Sequence, residues 1–208
     1  MLSGGNGREV QAYGVRVLTS HHPQIRSLKQ RVAPNKHGHR VWGSSYLLMD
    51  YLSRNGIAED ARVMEIGCGW GLAGIHCARC HGARVTAVDR DPGVFPFLRL
   101  QARVNGVEVE MLEKRYELLT RRQLEDVDLL IGADICFWDL LEPPMKLTVR
   151  RAMLAGVRTV VIADPGRPPF YRAAEHLVEK YGGTEMEWRV DRPYTIRGYI
   201  LRVDGPGT

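Results

Sequence analysis

The chain has 208 residues, 44% of them hydrophobic and 25% charged, with 29 Lys+Arg against 24 Asp+Glu. That balance buries a core of ordinary size, so it excludes a disordered or fibrous protein and fits one soluble domain of α/β or α+β type. No apolar run approaches the ~20 residues that span a bilayer, the opening MLSGGNGREVQAYG lacks a signal-peptide core, and four cysteines are too few for a disulfide scaffold. A cytoplasmic protein with reduced thiols is expected.

The net charge of +5 is uneven. Arg8, Arg16, Arg26, Lys29, Arg31, Lys36 and Arg40 stand against Glu9 alone in residues 1–41, while the remainder is close to neutral. The expected organisation is a basic N-terminal arm, residues 1–41, ahead of a folded domain at residues 42–208.

Beyond the arm, Ser44 or Ser45 is expected to cap a helix bearing Leu47, Leu48, Tyr51 and Leu52, ended by Asn55-Gly56. Arg62 to Ile66 reads as a strand, Gly67 to Gly71 as a turn, and the helix after it runs to Cys80 with Gly82 at its end. A second strand, Arg84 to Val88, stops at Asp89. Asp91-Pro92 then opens a helix that Asn105-Gly106 closes. Further strands are expected at Val107 to Leu112, Val127 to Ile131 and Thr159 to Ala163, with helices from Pro143-Pro144 to Gly156 and from Pro169 to Gly182-Gly183. Thr184 to Val190 and Tyr194 to Val203 share a short Asp191-Arg-Pro193 connection, which requires antiparallel pairing. Alternating strands and helices of this kind predict an α/β, Rossmann-like, doubly wound sheet.

The chemistry centres on Glu65 and the alternate glycines 67, 69 and 71. A strand running into glycines and then a helix brings bare backbone within contact distance of a ligand at the carboxyl edge of the sheet. Gly69-Trp-Gly71-Leu-Ala-Gly74 also matches the dinucleotide pattern G-x-G-x-x-G, with Asp89 at the ribose position, but that pattern alone is weak. Glu65 disfavours it, because a carboxylate there serves a cationic ligand end and repels a pyrophosphate. No second βαβ half remains for a dehydrogenase.

With VMEIGCGWG as glycine motif and VTAVD as ribose-binding strand, residues 41–203 resemble the class I S-adenosylmethionine-dependent methyltransferases. The resemblance implies a seven-stranded, mostly parallel sheet with an antiparallel C-terminal hairpin, and S-adenosylmethionine as cofactor with S-adenosylhomocysteine as product. Three segments resemble the protein lysine methyltransferase subgroup that includes enzymes acting on the β subunit of electron-transfer flavoprotein: His39-Arg-Val-Trp-Gly-Ser-Ser45, Gly132-Ala-Asp-Ile-Cys-Phe137 and Asp164-Pro-Gly-Arg-Pro168. The implied cofactor residues are Trp42, Glu65, Gly67, Cys68, Gly69, Gly71, Leu72, Asp89, Arg90, Tyr116 and Asp134. Asp134 is the implied catalytic residue, and Phe137, Trp138, Asp164 and Arg167 are the implied substrate residues. Phe137 departs from the subgroup's commoner tyrosine, and Lys114-Arg-Tyr116 from its acidic-aromatic pair. The expected partner is a protein substrate, acidic in character, with RNA and a small-molecule amine as alternatives, and a silent S-adenosylmethionine-binding module as the non-enzymatic one.

Other patterns carry less. Cys77-Ala-Arg-Cys80-His81 has the haem-attachment spacing, but it falls inside a helix that packs on the sheet, and no second C-x-x-C completes a zinc site. His21-His22 and His37-Gly-His39 read as exposed histidines of the arm, and no metal site is expected. Cys136 borders the site and is expected to be a buried, inert thiol.

Overall fold

The computed structural model describes residues 7–32, 38 and 40–205. Two strands, β1 (Glu9–Ala12) and β2 (Val15–Leu18), pair as an antiparallel hairpin, followed by helices α1 (Pro23–Arg31) and α2 (Gly43–Asn55). Then alternate β3 (Arg62–Ile66), α3 (Leu72–His81), β4 (Arg84–Asp89), α4 (Phe95–Asn105), β5 (Glu110–Glu113), α5 (Arg121–Leu124), β6 (Leu129–Ala133), α6 (Glu142–Ala155), β7 (Thr159–Asp164) and α7 (Pro168–Tyr181), closed by β8 (Thr184–Val190) and β9 (Ile196–Asp204).

The main sheet is seven-stranded in the order β5-β4-β3-β6-β7-β9-β8. Strands β3 to β7 are parallel, and β9 runs antiparallel between β7 and β8. The expected sheet and C-terminal hairpin are both present. Its central strands read as unbroken apolar runs because each face is covered. Val63, Ile131, Val161 and Ala163 pack under α2, α3 and α4, while Met64, Ile66, Leu130, Val160 and Ile162 pack under α6 and α7. Strand order reverses between β3 and β6, so a crevice opens there at the carboxyl ends.

Element boundaries shift for local reasons. α2 starts at Gly43 with Trp42 at the cap and no side-chain cap bond, so neither Ser44 nor Ser45 caps it; Ser44 is buried inside the first turn. β6 starts at Leu129, two residues late, because the Asp128 carboxylate is used to accept the Arg62 N–H at 2.8 Å. β5 is shorter than expected and α5 is an addition, held by a capping box between Thr120 and Gln123.

The largest difference lies in the expected arm. Described residues before 33 are folded onto the domain: Val15, Val17, Leu18 and Ile25 are almost wholly buried, and Ile25 and Leu18 share a core with Trp70, Phe97 and Leu100. The hairpin turns on Tyr13 and Gly14, both at positive φ (51° and 76°), the geometry of a tight two-residue loop. Its outer edge is satisfied by side chains. Gln101 accepts from the Leu18 N–H (3.0 Å) and donates to the Leu18 carbonyl (2.8 Å), and Asn105 does the same for Arg16 (2.8 Å each). Four helical residues advance about 6 Å and two strand residues about 6.6 Å, so two amides at i and i+4 meet backbone at j and j−2. Charge marked this segment as separate; its packing does not. Lys36, His37 and His39 lie outside the described residues.

Candidate active site

The crevice holds a cavity of about 300 Å³, at the lower end of the range for small-molecule sites. Its floor is the turn after β3, where Gly67, Gly69 and Gly71 have φ of +61°, +53° and +70°. A Cβ on Gly67 would lie 2.7 Å from Ile135 Cγ2 and one on Gly71 2.7 Å from Leu98 Cδ1, whereas one on Gly69 meets nothing within 4 Å. Gly67 and Gly71 are needed for packing; Gly69 opens its bare face to the cavity.

Glu65 is buried, and its Oε2 accepts the Gly74 N–H at 2.9 Å. It takes the first-turn donors of α3, the position where a dinucleotide phosphate would sit. A Cβ on Gly74 would lie 2.7 Å from that oxygen and 2.9 Å from Val85 Cγ1, so this glycine lets α3 approach the sheet. Burial raises the Glu65 carboxyl to about 8, against the backbone hydrogen bonds that lower it.

Asp89, at the end of β4, accepts from the Gly69 N–H and the Asp91 N–H, both at 3.0 Å, through different oxygens. The turn therefore fixes the carboxylate and leaves a second lone pair on each oxygen for a ligand. Tyr116 reaches across to donate to the Ile135 carbonyl at 3.2 Å. The Arg40 guanidinium lies over Trp42, its Cζ 3.9 Å from the ring centroid, and the Trp70 indole donates to the Gly38 carbonyl at 2.9 Å.

At the other end, Asp134 follows β6 with φ +61°, a left-handed conformation that costs a non-glycine residue about 1 kcal/mol or more. Its N–H still donates to the Ala163 carbonyl at 2.8 Å, and its carboxylate pairs with the Arg167 guanidinium. Arg167 also meets Asp164 Oδ2 at 3.3 Å. Asp164 is fully buried, and its Oδ1 accepts the Gly166 and Arg167 N–H groups at 2.9 Å; burial raises it to about 6. Phe137 and Trp138 pack edge to face, and Trp138 is 54% exposed at the mouth.

Of the residues expected from sequence, Trp42, Glu65, Gly67, Cys68, Gly69, Gly71, Leu72, Asp89, Arg90, Tyr116, Asp134, Phe137, Trp138 and Arg167 all line this one cavity. Asp164 is the correction: with no exposed surface it braces Arg167 and its loop, and it cannot meet a substrate. Arg40, Ser45, Asp91, Val94, Lys114 and Ile135 also line the cavity; adjacency to Trp42, Asp89, Tyr116 and Asp134 was their available signal. Cys136 is buried with its thiol raised to about 12 by burial, and Cys77 is buried inside α3. No cluster of His, Cys, Asp and Glu able to hold a metal occurs among the described residues, and no helix of those residues is long and apolar enough to cross a membrane.

A family model described as lysine methyltransferase matches residues 22–164, which includes the end of the expected arm. A ubiquinone biosynthesis O-methyltransferase from Xylella fastidiosa is 34% identical over 132 residues, covering 56% of this chain and 53% of its own. A protein-lysine N-methyltransferase from Chaetomium thermophilum is 28% identical over 175 residues, covering 76% of this chain and 50% of its own. The chain thus spans about half the length of these curated relatives. Among solved structures, a Thermus thermophilus 16S rRNA methyltransferase in complex with AdoMet and guanosine superposes with a TM-score of 0.59 at 19% identity, over 83% of this chain and 45% of that one. A human methyltransferase 10 domain containing protein gives 0.58 at 13% identity, over 87% and 96%. These two share the fold.

Proposed function

The chain belongs to the lysine methyltransferase family, and from that premise we propose that it is an S-adenosylmethionine-dependent enzyme whose acceptor is the side-chain amine of a protein lysine. The observation that carries this reading is Asp134 on the cavity wall, in a strained conformation, already holding a cation from Arg167 beside Phe137 and Trp138.

The cavity suits the donor. Asp89 at one end offers lone pairs to ribose hydroxyls, Gly69 leaves room for close approach, and Glu65 and Asp134 face a cationic amino-acid end. Strands β4, β3 and β6 are adjacent, which sets the ends of that span about 10 Å apart. When bound, S-adenosylmethionine supplies an electrophilic methyl group on sulfur.

The protein's part is alignment and dryness. Holding an acceptor in line can be worth as much as ~7–11 kcal/mol of barrier. A lysine must also reach the site as a free amine, against its ordinary pKa of about 10.4. Phe137 and Trp138 favour the neutral form by excluding water, while a bare carboxylate would favour the ammonium. Arg167 resolves the conflict: its charge offsets Asp134, which then accepts a hydrogen bond from the amine without locking it as a cation.

Incubating the protein with labelled S-adenosylmethionine and a cell lysate tests the acceptor. Methyl-lysine in hydrolysed protein is the expected product. Nuclease-sensitive label would replace the reading with RNA, and label confined to small molecules would favour the second reading, a small-molecule acceptor, which the O-methyltransferase relatives support.

A further inference from the structure

A second groove lies between α1 and α4, outside the cavity. Arg31, Arg99 and Arg103 rim it, and Leu28, Pro96 and Leu100 form its floor. The two helices together carry Arg26, Lys29, Arg31, Arg99 and Arg103 and no acidic residue.

Several other surface arginines have a carboxylate partner: Arg16 has Glu9, Arg62 has Asp126, Arg172 has Asp139 and Glu142, and Arg202 has Asp204. None of the five cations of α1 and α4 is in an ion pair among the described residues. Arg99 and Arg103 are both exposed and one helical turn apart, where like charges repel. Arg31 donates to the Ser27 hydroxyl and carbonyl. That leaves a cluster of five cations open to a counter-charge from outside the described residues.

The helices that flank the groove also pack against a residue of the cavity wall. Trp70 lines the cavity and stacks on Phe97 of α4 at 5.1 Å, and the Lys29 ammonium stands 5.7 Å from the Trp70 ring.

We propose that this groove docks an acidic amphipathic segment of the protein substrate, carboxylates on the arginine rim and aliphatic side chains on the Leu28, Pro96 and Leu100 floor. The proposal rests on the protein-lysine reading. The apolar floor favours protein over RNA: phosphates gain nothing from it, and Trp70 and Phe97 are buried against each other and offer no face for base stacking. Arginine forks suit carboxylates in pairs.

The test uses a synthetic helical peptide with leucine on one face and glutamate on the other, a matched peptide with lysine for glutamate, and a mixed-sequence RNA duplex, titrated against wild type and the double variant Arg99→Glu/Arg103→Glu. The glutamate peptide should bind wild type, weaken with salt, and lose at least about tenfold in affinity in the variant. Unchanged S-adenosylhomocysteine binding in the variant shows that the fold survives. No binding of the glutamate peptide, equal binding of the lysine peptide, or equal affinity in the variant overturns the proposal, and tighter binding of the duplex than of the peptide replaces it with RNA. No methyl transfer is involved, so this outcome is independent of the lysate labelling: absence of methyl-lysine there overturns the acceptor, and unchanged peptide affinity here overturns the groove.

Discussion

Replacing Glu65 by glutamine is expected to flatten the pH dependence of stability. Glutamine keeps an acceptor for the Gly74 N–H, now at 2.9 Å, but cannot ionise. In the folded protein burial lifts the carboxyl from its ordinary 4.5 to about 8. The folded state therefore holds this proton more tightly than the unfolded chain does. Stability from this group is fully present below about pH 4.5 and is lost as pH rises to about 8, by about 5 kcal/mol in all at 1.36 kcal/mol per tenfold. Between about pH 5 and pH 7 the loss is about 2.5 kcal/mol. Urea unfolding midpoints across that window should fall more steeply for wild type than for Glu65→Gln. Parallel curves would mean that Glu65 is ionised in the folded protein, and the reasoning from burial would fail. The same carboxyl should release a proton when a cationic ligand end arrives. Calorimetry of S-adenosylmethionine binding near neutral pH should show buffer-dependent heat in wild type and none of that component in the variant.

Asp134→Asn should cut transfer by at least about 10²-fold while the cofactor remains bound; near wild-type turnover would make Asp134 a brace for the loop. Gly67→Ala and Gly69→Ala should separate packing from binding. The first sets a Cβ 2.7 Å from Ile135 at positive φ and should cost about 2–3 kcal/mol of stability. The second has free space, so it should cost about 1 kcal/mol yet weaken cofactor binding at least about tenfold by filling the cavity floor. Equal effects of the two on cofactor affinity would remove Gly69 from the binding surface. Trp138→Ala, at a residue 54% exposed, should leave the thermal midpoint nearly unchanged and raise KM for the protein substrate; an unchanged KM would take Trp138 out of the acceptor channel.

The sheet was legible because its strands are marked twice, by apolar runs and by turn residues such as Gly82, Gly106 and Gly156, each of which ends its helix in the left-handed conformation. The cavity floor was legible for the same reason, since alternate glycines leave few other uses. Two things were hidden. The N-terminal hairpin carries its own signal, Val10 and Ala12 facing Val15 and Val17 across Tyr13-Gly14, but the excess of arginine suggested a solvated arm, and charge says nothing about the opposite face of a strand. Asp164 was misplaced because a motif fixes neighbourhood and not direction: Arg167 reaches the cavity while the carboxylate three residues earlier turns inward.

The pairing of Gln101 and Asn105 with the outer edge of β2 bears on timing. Those contacts span 83 and 89 residues of chain, so the hairpin can form locally yet dock only after α4 is in place, and loop-closure entropy makes it a late step. Run in reverse, it is the unit expected to open first. Amide hydrogen exchange at Leu18 and Arg16 should then be faster than in β3 or β6 and should slow together with the groove residues of α1; protection equal to the central strands would show a single cooperative unit.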